Sequence, residues 1–185
     1  MTSAAGEASA STFKPGTTLE DEYIVNTVQI RVKASKEAVY DYIILADTPG
    51  EMLKKRWPIP EVKSFKVVQG PWDHPGAYRV ITLSDCSTAR EEIFELRRAE
   101  FFAYKVSEFS GLFGQFIDHI NGRWYFTQTG DTTLVTWRYC FKYRNALAKP
   151  VVRVIAHSFM MPFMNNGMVL MKQIVEKKTC LIPHA

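Results

Sequence analysis

The feature that most constrains the fold of this chain is a series of alternating apolar and polar residues between about residues 62 and 143. No helical period interrupts it, and a period of two is typical of half-buried strands. Short turn sequences such as Gly70-Pro71 and Thr129-Gly130-Asp131 separate the segments, which favours hairpin connections. We therefore predict six consecutive antiparallel strands, at Val62–Val68, Ala77–Ser84, Thr88–Arg97, Phe101–Phe109, Ile117–Thr127 and Leu134–Tyr143.

Two helices and one further strand flank this series. Alternation from Tyr23 to Lys33 predicts a first strand and brings the total to seven. Ser35 is a good N-cap residue, and the apolar spacing after it predicts a short helix to about Asp47. From Leu147 to about Lys178 the period becomes helical again, which predicts a long C-terminal helix with a kink near Pro162.

The bulk properties indicate one compact domain. The chain has 185 residues, 46% hydrophobic and 23% charged, as in ordinary soluble proteins. A Ser/Ala/Thr/Gly-rich stretch predicts a flexible tail at residues 1–18, before a single domain at 19–185. Because no 18-residue apolar run or secretory leader is visible, we expect a cytoplasmic protein without integral membrane association. The net charge of +4 comes from interleaved charges, so we expect no nucleic-acid partner.

The sequence offers little support for metal or nucleotide chemistry. Its three cysteines are widely spaced and odd in number, which argues against a disulfide framework. The four histidines show no zinc-ligand spacing. No phosphate loop, dinucleotide fingerprint or Gly-x-Ser-x-Gly elbow is present, and we expect no metal and no cofactor.

This order of elements predicts a space between two layers. A seven-stranded antiparallel sheet has to bury one face, and the long helix is the element that can cover it. Strongly twisted sheets curl, so that a single helix laid across one can leave a cavity.

The chain resembles the START-like, Bet v 1-like superfamily (SRPBCC, polyketide cyclase-type). The resemblance rests on the opening strand and helix from Ile30 to Ile43, on Gly122-Arg-Trp-Tyr-Phe, on Gly130-Asp-Thr-Thr-Leu-Val-Thr-Trp and on the C-terminal helix. It extends over about residues 22–178. It implies an α+β helix-grip fold, with a seven-stranded curved antiparallel sheet around a long C-terminal helix. It implies no particular ligand, because the superfamily includes binders, transporters and enzymes.

Aromatic residues are the best candidates for a ligand-binding wall. In the last strand, Trp137, Tyr139 and Phe141 share the more apolar parity, and we expect this set to face inward. Rings with a few hydroxyls suit a flat or long apolar ligand, although a completely filled core would explain them too. The predicted ligand-binding residues are Trp57, Phe94, Phe102, Tyr104, Trp124, Trp137, Tyr139, Phe141 and Met161.

Three residues are candidates for acid/base chemistry. Arg90 and Glu92 share the parity of Phe94, and if that face is the inner one, both point toward the cavity. Alternatively, the start of their strand projects into water. His157 on the long helix could act as a general base, or it could be an ordinary surface residue.

Three functions remain open at this point. The first is binding, and possibly transport, of a small hydrophobic molecule such as a lipid or polyketide. The second is a polyketide cyclase or dehydratase that uses Arg90, Glu92 or His157. The third is a protein-interaction domain with a filled core, which a large exposed apolar patch would favour. The sequence does not determine the oligomeric state.

Overall fold

The computed structural model describes residues 22–44 and 48–180, and the predicted tail at 1–18 lies outside them. One antiparallel sheet of seven strands dominates the described chain, in the order β1-β7-β6-β5-β4-β3-β2. This confirms the predicted α+β helix-grip architecture. The strands are β1 (Ile24–Val32), β2 (Val62–Gln69), β3 (Tyr78–Leu83), β4 (Thr88–Arg97), β5 (Phe101–Ser107), β6 (Ile117–Thr129) and β7 (Thr132–Tyr143).

Helices connect strands at two places, between β1 and β2 and between β5 and β6, and the long C-terminal helix follows β7. The predicted N-cap is confirmed, because the Ser35 hydroxyl accepts a hydrogen bond of 3.2 Å from the backbone N–H of Ala38. The long C-terminal helix has three parts, the second of which is a π-helical turn. The elements are α1 (Lys36–Ile44), α2 (Thr48–Met52), α3 (Phe113–Phe116), α4 (Lys149–Val154), the π-turn (Ile155–Met160) and α5 (Met161–Cys180).

A π-turn precedes Pro162, near which the sequence predicts a kink. Proline cannot donate a backbone hydrogen bond, so the ladder of the helix has to change where Pro162 enters it. The N–H of Met161 bonds to the carbonyl of Ala156, five residues earlier. The wider turn leaves that carbonyl accessible from the side, and Asn26 of β1 also bonds to it.

The inner face of the sheet carries the aromatic core. Trp124 and Trp137 stack with ring centroids 4.6 Å apart, and both side chains are buried. Tyr104 lies over Gly122 of the neighbouring strand, where an added Cβ would come within 2.3 Å of the tyrosine ring. Glycine is therefore required at 122 for this packing. The buried face of the helix, which includes Met164, covers these rings.

Candidate functional site

A cavity of about 110 Å³ lies between the sheet and the N-terminal part of the C-terminal helix. Its walls come from the inner face of the sheet, from Val62 at the start of β2 to Phe141 in β7, and from three chain segments that surround one end of the sheet. Its lining residues are apolar except for Tyr139. The lining residues are Leu53, Ile59, Pro60, Val62, Ile81, Leu83, Ala89, Val106, Phe109, Phe113, Ile117, Ile120, Tyr139, Phe141, Ile155, Met160 and Phe163.

The connection between α2 and β2 closes one side of this cavity. Gly167 of α5 lets it approach closely, since a Cβ at this position would lie 3.1 Å from Cδ2 of Leu53. Arg56 and Ile59 exchange two backbone hydrogen bonds and close a tight turn, with Trp57 at its tip. The Trp57 ring meets the edge of Phe159, 6.4 Å away between centroids, and stays 81% exposed. This turn lies beside the helix and forms part of the cavity mouth.

Tyr139 provides the polar group of the lining. Burial raises the pKa of its hydroxyl well above the ordinary value, and the nearby Tyr104 and Glu91 raise it further. The hydroxyl therefore stays protonated at neutral pH. It shares a hydrogen bond with the hydroxyl of Tyr104. Its oxygen can accept a further hydrogen bond from a ligand, but the protonated group is a poor proton acceptor in acid/base chemistry.

A buried ion pair lies on the inner face of β3 and β4, two residues along each strand from the lining residues Ile81 and Ala89. Arg79 Nε donates a hydrogen bond of 2.6 Å to Glu91 Oε2, and both side chains are less than a tenth exposed. The guanidinium lies between the rings of Phe65 and Trp72, 4.0 and 4.1 Å from their centroids. These contacts compensate for the desolvation of the two charges. They also occupy the Glu91 carboxylate, which does not line the cavity.

The comparisons with known proteins agree with this architecture. A family model described as "Polyketide cyclase / dehydrase and lipid transport" matches residues 24–176. The chain belongs to this family. No curated protein matches the sequence.

Solved structures of the same fold are distant in sequence. The di-domain ARO/CYC StfQ from the steffimycin biosynthetic pathway matches with a TM-score of 0.65 and 18% identity, over 88% of this chain and 54% of that one. A protein of Thermus thermophilus matches with a TM-score of 0.64 and 16% identity, over 84% of this chain and 99% of that one. Ara h 8.0201 matches with a TM-score of 0.58 and 13% identity, over 84% of this chain and 99% of that one. At these identities the matches show the fold alone.

Within this family fold, six of the eight predicted aromatic residues are buried, and they form two groups. Tyr139 and Phe141 line the cavity. The others of the inward set are buried in the aromatic core beside it, where they fill space: Phe102, Tyr104, Trp124 and Trp137. Met161 is half-buried at the start of α5 and lies outside the lining.

The parity prediction for β4 was wrong. A β-bulge between Ile93 and Glu95 shifts the alternation, so that Phe94 is 44% exposed on the outer face. Before the bulge, Glu91 and Ile93 face inward, and Arg90 and Glu92 therefore face outward. Parity counted back from Leu96 across a bulge assigns every earlier side chain to the wrong face.

The outward pair on β4 is held together at the surface. Arg90 and Glu92 form an ion pair of 2.8 Å, with side chains about a third exposed or more, and neither lines the cavity. The Arg90 guanidinium also packs over the Tyr78 ring at 4.0 Å. The start of β4 does not project into water, since Ala89 is buried and lines the cavity; the pair is exposed because it lies on the outer face of the strand.

His157 and Trp57 also lie outside the cavity lining. His157 is exposed on the far side of the π-turn, and its Nδ1 lies 2.9 Å from Oδ1 of Asn26. Trp57 is at the rim, in solvent. None of the three acid/base candidates therefore faces the enclosed space.

Most lining residues were not predicted from the sequence. Pro60 and Phe109 come from connections, which have no period that assigns a direction to a side chain. Ile155 and Met160 come from the π-turn, where the helical period is broken. The one available signal was the cluster of apolar residues around Trp57, Pro58 and Pro60 in a region otherwise typical of a surface loop.

Among residues 22–44 and 48–180, no helix is both long and apolar enough to cross a bilayer. The same residues contain no group of three or more His, Cys, Asp or Glu side chains placed to hold a metal ion.

Proposed function

We propose that this protein binds a small hydrophobic molecule in the cavity between its sheet and its C-terminal helix. The observation that carries the proposal is the lining, in which sixteen apolar residues and one buried tyrosine surround the space. Apolar cavities in proteins stay dry and take up apolar guests. The family, which by its description includes lipid transport, agrees with this function.

The lining limits the chemistry of the ligand. A volume of about 110 Å³ is close to that of engineered apolar cavities of about 150 Å³ that bind benzene. It is smaller than the roughly 300 Å³ at which drug-sized sites begin. One ring or a short alkyl segment fits inside, with one oxygen at Tyr139. A longer lipid or polyketide extends past Ile59 and Phe163 toward the mouth.

Binding is better supported than catalysis by the placement of polar groups. A cyclase or dehydratase needs a group that accepts a proton next to the substrate. Glu91 is engaged by Arg79, and Arg90, Glu92 and His157 lie outside the lining. The interaction-domain alternative required a filled core, and the cavity favours binding over that alternative too.

The test is native mass spectrometry of the purified protein, followed by denaturing extraction of any adduct. We expect a hydrophobic adduct in a one-to-one ratio. Ala89→Leu places three additional carbon atoms into the cavity and should abolish the adduct, whereas Ala38→Leu on the exposed face of α1 should retain it.

One control measurement and one further variant complete this test. Thermal melting of both variants checks that they fold. Ile120→Phe provides a second way to fill the cavity if Ala89→Leu does not fold. An adduct that persists in both folded cavity-filling variants would contradict binding at this site. A protein without an adduct that also fails to bind toluene and p-cresol would contradict the function itself.

A further inference from the structure

We propose that the rim of the cavity is a docking surface for anionic lipid membranes. Three mouth segments form this rim: residues 53–60, 109–116 and 142–160. The inference goes beyond ligand binding, because it concerns the outer surface of these segments. It would hold whatever molecule occupies the cavity.

The three mouth segments are neighbours in space. Ile59, Phe113 and Ile155, one from each segment, line the same cavity. The Arg144 side chain donates a hydrogen bond to the carbonyl of Gly114, which ties the third segment to the second. The contact of Trp57 with Phe159 ties the first to the third. The segments therefore form one continuous rim.

The rim concentrates the most exposed apolar side chains of the described chain. Leu147 is 87% exposed, Trp57 81% and Leu112 69%, and each comes from a different mouth segment. Val151 and Val154 add exposed apolar area on α4. Three large apolar tips around one opening are more than the scattered surface hydrophobics of an ordinary monomer, and such clusters mark interaction sites.

The same segments carry only positive charge. They contain seven of the 23 Lys and Arg residues and none of the 19 Asp and Glu residues, so that the rest of the chain has more acids than bases. Two of the seven form ion pairs with acids from elsewhere, Lys54 with Glu61 and Lys142 with Glu22. The remaining cations are Lys55, Arg56, Arg144, Lys149 and Arg153.

This combination fits an anionic bilayer better than an acidic protein. Tryptophan beside Lys and Arg is typical of the interface, where the indole lies among headgroups and the cations meet lipid phosphates. Each cation contributes about 1 kcal/mol near an anionic surface. Lipids can rearrange around three separate tips, whereas a protein partner would need a complementary pocket for each.

Intrinsic fluorescence offers a direct test. Trp57 is 81% exposed, while Trp72, Trp124 and Trp137 are 6% exposed or less, so that a change in emission on docking reports on Trp57. We expect vesicles of equal parts phosphatidylglycerol and phosphatidylcholine to shift the emission to the blue and to protect it from acrylamide. Trp57→Phe should lose the shift. Phe94→Ala, an exposed aromatic residue outside the rim, should keep it.

Flotation of the protein with the vesicles tests the charge. Lys55→Glu/Arg56→Glu should weaken binding by more than about tenfold, since two favourable contacts become repulsive. Lys33→Glu/Lys177→Glu makes the same charge change near the far end of α5 and should bind as the wild type does. Binding should also fall between about 0.05 M and about 0.5 M salt.

Several outcomes would overturn the proposal. These are the absence of flotation at low salt, equal binding to pure phosphatidylcholine, and equal losses in both charge-reversal pairs. Recognition of an acidic protein by a rim that has no affinity for vesicles would assign the surface to a protein partner instead.

Discussion

The side-chain amide of Asn26 donates a hydrogen bond of 2.7 Å to the carbonyl oxygen of Ala156. Asn26 is fully buried in β1, and its own oxygen lies 2.9 Å from Nδ1 of His157. The contact joins the edge strand to the π-turn, where the carbonyl of Ala156 is reachable from the side. The same turn provides Ile155 and Met160 to the cavity, so that this contact positions part of the lining.

Asn26→Ala should therefore lower the free energy of unfolding by about 1–3 kcal/mol, because it leaves a buried carbonyl with one partner fewer and opens a gap. Urea unfolding followed by circular dichroism measures this loss. Gln29→Ala on the exposed face of the same strand is the control and should change stability by less than about 0.5 kcal/mol. Equal effects of the two substitutions would contradict the structural role of Asn26.

The buried pair predicts a characteristic pattern of stability. Arg79→Met leaves Glu91 buried without its partner and should cost about 3–5 kcal/mol. The double variant Arg79→Met/Glu91→Leu removes both charges and should be more stable than Arg79→Met. Arg90→Met, in the exposed pair on β4, should cost only about 1 kcal/mol or less. Additive losses in the double variant would show that the pair is not coupled.

Tyr139 should determine which apolar ligands bind best. p-Cresol differs from toluene by one hydroxyl, which can bond to the hydroxyl of Tyr139. Tyr139→Phe should weaken p-cresol binding by about 5–10-fold, the equivalent of one hydrogen bond of about 1–1.4 kcal/mol, and leave toluene binding unchanged. Calorimetric titration of both ligands measures the ratio. A parallel loss for both would mean that the substitution changed the cavity rather than a polar contact.

His119 should make stability depend on pH. Its imidazole lies 2.7 Å from Asp118 and 3.3 Å from the Tyr23 hydroxyl. Burial lowers the pKa of His119 below its ordinary value of 6.5, although the Asp118 carboxylate acts in the opposite direction. Below pH 6.5 the unfolded chain therefore binds the proton more readily than the folded chain. Stability contributed by His119 is present above this pH and is lost as the pH falls through the folded pKa.

Urea unfolding at about pH 7.5 and about pH 5.5 tests this dependence. The wild type should lose more stability on acidification than His119→Gln. His74→Gln replaces an exposed imidazole and should behave as the wild type. A wild type and His119→Gln with the same pH dependence would contradict the assignment to His119.

Much of the fold follows from the alternation of residues along the strands. β7 is regular against β1, so counting by two places Val135, Trp137, Tyr139 and Phe141 on the buried face, as the structure has them. β4 contains a bulge, and the residues around Phe94 include no glycine or proline that would indicate it. Because of this single inserted residue, alternation placed Arg90 and Glu92 on the inner face, whereas Glu91 is the charged residue that faces inward.

The cavity was harder to predict than the sheet that holds it. A sequence shows which residues are apolar but not whether they fill the space between two layers. The mouth depends on contacts between residues far apart in the sequence, such as Leu53 and Gly167, which are more than a hundred positions apart. The buried partner of Glu91 lies on another strand, and the β3–β4 register that pairs it with Arg79 appears only in the folded sheet.

NMR of isoleucine methyl groups with p-cresol tests the claim that the ligand binds inside the cavity. We expect intermolecular nuclear Overhauser effects to Ile81, Ile117, Ile120 and Ile155, which line the cavity, and none to Ile30 or Ile174, which lie outside it. Ala89→Leu should remove these effects. Effects only at residues outside the cavity, or none at saturating p-cresol, would contradict the claim.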